Sequence, residues 1–268
     1  MSLNNARHVV LGSLTNTPPT PVISEKTVRC KFTAGYTPAM GDTQTLIDAQ
    51  ENIWDIYKAS SDLGSLLRDN TYLLEVVDAN LTGVEIISYI FSGCSSLTGV
   101  SLSNTSNLTH LSYAFQDCSS LTSVLYFDTS SAMQMNGMFS GCSSLATVPL
   151  FDTSSAVGFF GVFQYCTALT SVPLFDMSSA RDMRYMFNGC RNLDSIPLFN
   201  TSSALDMSNM FKGCRNVQSG ALALYQQASS QATPPSSHSE CFTNCGVDTV
   251  TGAAELAQIP ASWGGLGA

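Results

Sequence analysis

The sequence predicts an α/β repeat solenoid, a stack of short coils that share one core. Six cysteines recur with an unbroken period of 24, with a phenylalanine three residues before each and an aliphatic residue three after. A fixed period between 20 and 50 residues is typical of such stacks. Solenoids present long surfaces more often than catalytic pockets, so the pattern favours a binding function. The cysteines are Cys94, Cys118, Cys142, Cys166, Cys190 and Cys214.

The coil that starts at Cys142 shows the elements expected in every repeat. Val148 and Leu150, at positions 6 and 8 after the cysteine, step by two, which predicts a strand with both side chains facing the core. Apolar residues at positions 14, 17 and 20 step by three, which predicts a short helical or 3-10 turn. Asp152 and the Thr and Ser residues after it suit the polar turn between the two.

Longer sequence segments resemble a known type of repeat. The order L-x-x-V-x-L is similar to the leucine-rich repeat pattern. Three segments resemble the BspA-type repeats of bacterial surface proteins: M-F-S-G-C-S-S-L at 138–145, L-F-D-T-S-S-A at 150–156 and M-R-Y-M-F-N-G-C at 183–190. The resemblance covers residues 70–217. It implies a right-handed, leucine-rich-repeat-like coil, a role in adhesion or surface recognition, and no catalytic residues.

The repeat degenerates towards both ends, which predicts four segments. Residues 1–41 are expected to be an arm with a candidate strand at 27–33, and residues 42–69 a helical cap with an amphipathic helix at 42–59. Residues 70–220 are the predicted solenoid. Residues 221–268 are expected to hold a helix at 221–228, an insert that includes a loop at 232–239, and a capping coil, because Phe242 and Cys245 restore the spacing seven residues late.

The charge pattern argues against nucleic acid as a partner, and it leaves open the role of a cluster of basic residues. A net charge of −9 argues against nucleic acid, which selects basic surfaces. No Lys or Arg occurs from residue 69 to 180, whereas several occur in the last coils with aspartates between them. This candidate basic patch is either an ordinary solvated face or a site for an anion or a partner. Its residues are Arg181, Arg184, Arg191, Lys212 and Arg215.

The repeat cysteines, together with Cys245, are interpreted as a structural ladder of buried thiols. They share the period of the apolar residues, and a free cysteine behaves as a small apolar side chain. Equivalent Cα atoms of stacked coils are roughly 5 Å apart, so spacing alone does not exclude disulfides. Zinc would require pairs such as C-x-x-C with a histidine nearby, and the sequence contains no such pair.

Catalytic motifs are missing from the sequence: it has no G-x-S-x-G elbow, no phosphate-binding loop and no H-E-x-x-H helix. We therefore expect no enzymatic activity, no cofactor and no metal. Acidic or amide residues ten positions after the cysteine could bind cations, but Asx followed by Thr or Ser also makes a good turn. These residues are Asn104, Asp128, Asp152, Asp176 and Asn200.

The candidate binding face lies on the predicted strands. Positions 5 and 7 carry hydroxyl residues and prolines that should face outward, and position 9 carries phenylalanine, which is either an exposed apolar stripe or part of the core. The stacked prolines also predict an interrupted strand ladder. The residues are Ser123, Thr147, Ser171 and Ser195; Pro149, Pro173 and Pro197; and Phe127, Phe151, Phe175 and Phe199.

These observations favour a non-enzymatic adhesion or recognition module that binds a protein or a glycan. The alternative is a structural component of a phage or cell-surface assembly, attached through the arm. No stretch approaches the ~20 apolar residues of a membrane span, and residues 1–12 are too polar for a secretory signal. A location at the cell surface or outside the cell therefore rests on the resemblance alone.

Overall fold

A computed structural model describes residues 27–33, 43–47, 52–57 and 67–267. The remainder of the predicted arm, at 1–26 and 34–41, lies outside the described residues. The strands are β1 (Thr27–Phe32), β2 (Thr43–Ile47), β3 (Asn52–Tyr57), β4 (Leu73–Asn80) and β5 (Gly99–Ser103). The helices are α1 (Ala221–Ser229), α2 (Val250–Leu256) and a 3-10 helix, Ala261–Trp263.

The five strands form one mixed sheet in the order β2-β3-β1-β4-β5. β1 pairs antiparallel with both β3 and β4, and it is the strand that the sequence predicts at 27–33. Its buried residues Val28, Cys30 and Phe32 alternate with partly exposed ones, so one face of the strand lies on the core. β4 and β5 pair parallel, with Val76 opposite Val100, and this pair begins the stack of coils.

The prediction of an amphipathic helix at 42–59 is wrong, because the described residues of this segment form the strands β2 and β3. The two strands pair antiparallel, from Thr43 opposite Ile56 to Ile47 opposite Asn52. The stretch 52–57 is rich in β-branched and aromatic residues, which favour strands over helices. β1 supplies an antiparallel partner for β3, so pairing within the sheet overrides the helical spacing of the apolar residues.

Hydrogen bonds between neighbouring coils repeat along residues 70–217. Parallel bridges join Ile86 to His110, His110 to Gln134, and so on through Asp206, each step spanning one period of the repeat. The N–H of Phe139 donates to the carbonyl of Val162 in the next coil, and the equivalent bond recurs at the other phenylalanines of the column. The chain is therefore a stack of coils with a continuous core. The right-handed sense of the coil stays a prediction.

Beyond β5 the predicted strand of each coil is irregular. In the later coils these positions are joined, within the described residues, by a single bridge between Ser195 and Ser219. Proline has no N–H to donate to a ladder, which explains the interruption at Pro149, Pro173 and Pro197, whereas residues 121–127 are irregular without a proline. The chain turns there instead: the N–H of Phe199 donates to the carbonyl of Pro197, two residues earlier.

The predicted helical or 3-10 turn is in fact two consecutive β-turns. The N–H of Ala114 donates to the carbonyl of Leu111, and the N–H of Cys118 to that of Phe115. The third residues of these turns, Tyr113 and Asp117, have φ of 59° and 58°. Helices need a negative φ, so a left-handed third residue ends each turn after four residues. The other coils have positive φ at Tyr89, Gly93, Gly137, Gly141, Gly161, Tyr165, Tyr185, Gly189, Asn209 and Gly213.

Two columns of phenylalanine fill the core. The rings that stand three residues before the cysteines stack from Phe91 to Phe211, with neighbouring centroids between 5.1 and 5.7 Å apart. The phenylalanines at position 9 lie beside this column; Phe163 and Phe175, for example, have centroids 6.0 Å apart. Each such ring pair contributes about 0.5–1.5 kcal/mol beyond the burial of its area.

The last coil contains extra residues, as the shifted spacing of Phe242 and Cys245 predicts. The N–H of Phe187 donates to the carbonyl of Met210 in the next coil, whereas the N–H of Phe211 reaches the carbonyl of Cys241, a step that is longer by seven positions. The predicted helix at 221–228 is present as α1. The buried ring of Trp263 stacks on His238, with centroids 4.1 Å apart, and closes the end of the core.

Candidate interaction surface

The phenylalanines of the candidate binding face belong to the core. Phe127, Phe151, Phe175 and Phe199 are each no more than 5% exposed, so the buried alternative is the one that the structure has. The hydroxyl residues at position 5 lie on the surface: Ser123, Thr147 and Ser171 are exposed and Ser195 is half-buried. Pro149, Pro173 and Pro197 are half-buried.

Position 8 supplies the exposed apolar residues instead. Tyr126, Leu150, Leu174 and Leu198 are 59%, 59%, 61% and 52% exposed. These four residues are named the apolar stripe. One side chain comes from each of four consecutive coils, so the stripe runs along the stack. It forms a row of large apolar groups in water, which in a folded protein is characteristic of an interaction site.

Leu150 lies on the surface, so the prediction from strand spacing that it faces the core is wrong. The N–H of Phe175 donates to the carbonyl of Pro173, which makes a three-residue turn centred on Leu174, and Leu198 has the same turn. The chain therefore takes three residues to go from one buried side chain to the next, as between Val148 and Phe151. The sequence contains a feature that indicates this exposure, because a proline at position 7 disrupts the alternation of a strand.

Carboxylates border the stripe two positions further along the chain. Oδ1 of Asp128 accepts hydrogen bonds from the N–H and hydroxyl of Ser130, at 2.9 and 2.7 Å. Oδ1 of Asp152 accepts the same pair from Ser154, and Oδ1 of Asp176 accepts the N–H of Ser178. Their other oxygens, Oδ2, have no hydrogen-bond partner among the described residues. The aspartates Asp128, Asp152 and Asp176 are named the acidic border.

The aspartates of the acidic border form hydrogen bonds within their own turns and keep their negative charge. The hydroxyl of Ser130, and then its N–H, lower the pKa of Asp128, and Ser178 does the same for Asp176. Both carboxylates are therefore ionised at neutral pH. Within the described residues, no group of three or more His, Cys, Asp or Glu could hold a metal ion. Asn200 keeps the same turn in the next coil without the charge.

The thiols of the repeat cysteines point into the core. Each Sγ donates to the main-chain carbonyl of the residue 27 positions earlier, at 3.0 or 3.1 Å. These six cysteines and Cys245 are buried free thiols, so the disulfides that their spacing would permit are not formed. Burial raises the pKa of each thiol, that of Cys94 to about 12. Neutral, enclosed thiols are poor nucleophiles, which fits a structural role.

The basic residues do not share one site. Arg184 donates from Nε and Nη2 to both carboxylate oxygens of Asp182, at 2.9 and 2.7 Å. Arg215 binds both oxygens of Asp248 at 2.7 Å, and Lys212 pairs with Glu240. Three of the five positive charges are thus already paired, which supports the ordinary solvated face for them. Arg181 and Arg191 are exposed.

One open cleft lies beside Arg181, with a volume of about 340 Å³. Its walls come from residues 202–205 and from Thr233, Pro234 and Ser236, so Arg181 is the only ionisable residue among the described residues that line it. A cleft with no carboxylate, histidine or cysteine offers neither a general base nor a nucleophile paired with a base. Across the part of the chain that the structure describes, no helix has the length and apolar character needed to cross a membrane.

Comparison with known proteins places the chain in a family. Residues 85–194 and 158–231 match a family described as "Mycoplasma protein of unknown function, DUF285". The crystal structure of a T. pallidum leucine-rich repeat protein is similar at 22% identity and a TM-score of 0.36, over 60% of this chain and 80% of that one. No curated protein matches the chain. The narrower resemblance to BspA-type repeats stays a prediction. Because the matched segments together span more than half of the chain, the protein belongs to the DUF285 family.

Proposed function

We propose that the protein is a non-enzymatic interaction module that binds a partner protein through the apolar stripe. The observation that carries this proposal is the exposure of the stripe: four large apolar side chains, one per coil, are each more than half exposed. Burying such a row in a partner removes apolar area from water, at about 25 cal/mol for each Å². Interfaces draw most of their affinity from a few fully buried side chains near their centre.

The scaffold under the stripe favours tight binding. The residue that follows each stripe residue is a core phenylalanine, and Phe127 and Phe151 have ring centroids 5.1 Å apart. The turns at Leu174 and Leu198 are closed by main-chain hydrogen bonds. A surface that is already ordered loses little conformational entropy on binding, so more of the contact energy appears as affinity.

A non-enzymatic role is supported by the chemistry of the described residues. The cleft beside Arg181 has no general base, and the thiols are neutral and enclosed. The carboxylates of the acidic border cap turns on an open surface. Adhesion or recognition at a cell surface is the use that we propose for this binding, and it is supported by the resemblance to BspA-type repeats.

The test compares substitutions on and off the stripe. Leu150→Asp together with Leu174→Asp places two charges in the stripe, whereas Met133→Asp together with Leu205→Asp places the same two charges at side chains that are 49% and 56% exposed elsewhere on the coils. Binding to a panel of immobilised extracellular-matrix proteins is measured for each variant. We expect the stripe variant to lose affinity by about ten-fold or more and the control to keep it. Failure of the wild-type protein to bind any member, or full binding by the stripe variant, would overturn the proposal.

A further inference from the structure

The spacing of the apolar stripe matches one type of secondary structure. In the core column from Phe91 to Phe211, the ring centroids of neighbouring coils lie 5.1 to 5.7 Å apart, and this distance approximates the spacing of the coils. An α-helix advances about 5.4 Å per turn, whereas a strand places side chains of one face about 6.7 Å apart. Over the three steps from Tyr126 to Leu198 a helix stays in register within about 1 Å, while a strand overshoots by about 4 Å.

The charged residues that follow the apolar stripe two positions along the chain are all negative. Asp128, Asp152 and Asp176 follow its first three residues, and the sequence has no Lys or Arg from 69 to 180. The turn bonds of these aspartates use Oδ1, so Oδ2 has no internal donor among the described residues and can accept one from a partner. Complementary charge directs the encounter of two surfaces and fixes the orientation in which they bind.

We propose that the apolar stripe holds an amphipathic α-helix of the partner protein, lying along the stack. The helix places one apolar side chain per turn on the stripe and a row of Lys or Arg against the acidic border. This inference rests on the proposed function and adds the conformation and charge of the partner. About four turns, or roughly 14 residues, cover the stripe from Tyr126 to Leu198.

The experiment uses three synthetic peptides of equal length against the full chain. The first is helical, with Leu once per turn and Lys along one flank; the second has Glu on that flank; the third has the composition of the first but alternates Leu and Lys as a strand would. We expect the first peptide to bind about ten-fold more tightly than either of the others. Its far-ultraviolet circular dichroism should gain helical signal on binding.

Two charge variants separate specific from general attraction. Asp152→Asn with Asp176→Asn removes two charges from the acidic border while retaining the turn, since Asn200 already caps the same turn. Glu85→Gln with Asp117→Asn removes two exposed charges elsewhere, so the net charge of the two variants is equal. We expect the border variant to lose at least about three-fold in affinity for the Lys-flanked helix, with a weaker dependence on salt, and the control to lose less.

Three outcomes would overturn the inference alone: equal binding of the strand-patterned peptide, equal binding of the Glu-flanked peptide, or equal losses in the two charge variants. In each case the loss of matrix-protein binding by the Leu150→Asp, Leu174→Asp variant would still support the proposed function. If that variant binds matrix proteins like the wild type, the proposed function fails as well. The two failures are therefore distinguishable.

Discussion

The thiol of Cys142 donates a hydrogen bond of 3.0 Å to the main-chain carbonyl of Phe115, in the preceding coil. The same carbonyl accepts the N–H of Cys118 at 3.2 Å. The thiol is therefore the second donor to this oxygen and joins two coils across the core. Five further cysteines repeat the contact, so each coil of the array is tied to an earlier one through a sulfur atom.

Replacing Cys142 with alanine should lower the free energy of unfolding by only about 1–2 kcal/mol. The substitution removes packing in a filled core and one weak hydrogen bond, but Phe115 keeps the N–H of Cys118, so no carbonyl is left without a donor. Urea unfolding followed by circular dichroism measures the change. A loss above about 4 kcal/mol would show that the thiol contributes more than packing and a weak bond.

Alkaline pH should destabilise the protein through the same thiols. Burial raises their pKa above the ordinary value of 9.0, to about 12 for Cys94, so folded thiols stay protonated while unfolded ones ionise. The stabilisation is complete below about pH 9 and is lost as the pH rises towards the folded pKa, at about 1.4 kcal/mol per pH unit for each thiol. Urea unfolding under reducing conditions between about pH 8 and 10 measures this slope, and Cys142→Ala should reduce it by one thiol's share. A stability that does not change over this range would contradict the burial of the thiols.

Two glycines with left-handed backbones should respond very differently to alanine. Gly83 has φ of 67° and open space around it, whereas a Cβ on Gly220, at φ of 99°, would lie 2.2 Å from the carbonyl oxygen of Ile196. Gly83→Ala should therefore cost about 1–2 kcal/mol from the backbone alone. Gly220→Ala should cost more than about 3 kcal/mol, because a main-chain atom must move as well. Equal melting temperatures for the two variants would contradict this difference.

The period of the array and the identity of the core columns could be predicted from the sequence, because Cys, Phe and Leu recur at fixed spacing and are buried. The path of the chain between these columns could not. Leu150 follows Val148 by two residues, as in a strand, but it faces water because the chain turns after Pro149. The alternation of a strand cannot be read across a proline.

Periodicity also fails to distinguish structures that share a spacing. Met183 and Met186 step by three and are buried, as a helical turn predicts, yet Tyr185 between them has φ of 57°. Spacing does not report the sign of φ, and a tyrosine gives no hint of it. Glycine in the same position of other coils, at Gly137 and Gly161, was the available clue. The strand β3 pairs with β1, and β2 pairs with β3, and no local pattern contains these pairings.

Tyr165 and Gly189 occupy the same left-handed position in neighbouring coils. A Cβ on Gly189 would lie 2.6 Å from Cδ1 of Tyr165, whereas a Cβ on Gly213, one coil further, would meet only the backbone of Gly189, at 3.8 Å. Both glycines have nearly the same φ, 74° and 76°, so the backbone cost of alanine is matched. Gly189→Ala should therefore cost more than Gly213→Ala by about 1 kcal/mol, since the tyrosine ring, 55% exposed, must swing outward.

A double-mutant cycle isolates this contact. In a Tyr165→Gly background the ring is gone, so Gly189→Ala should cost no more than Gly213→Ala does in the wild-type chain, about 1–2 kcal/mol. Urea unfolding of the four proteins of the cycle gives the coupling energy between the two positions. A coupling near zero would mean that the ring does not occupy the space above Gly189. The positions of large and small residues in this column would then be independent, and the alternation of Asp117, Gly141, Tyr165 and Gly189 along it would have no packing cause.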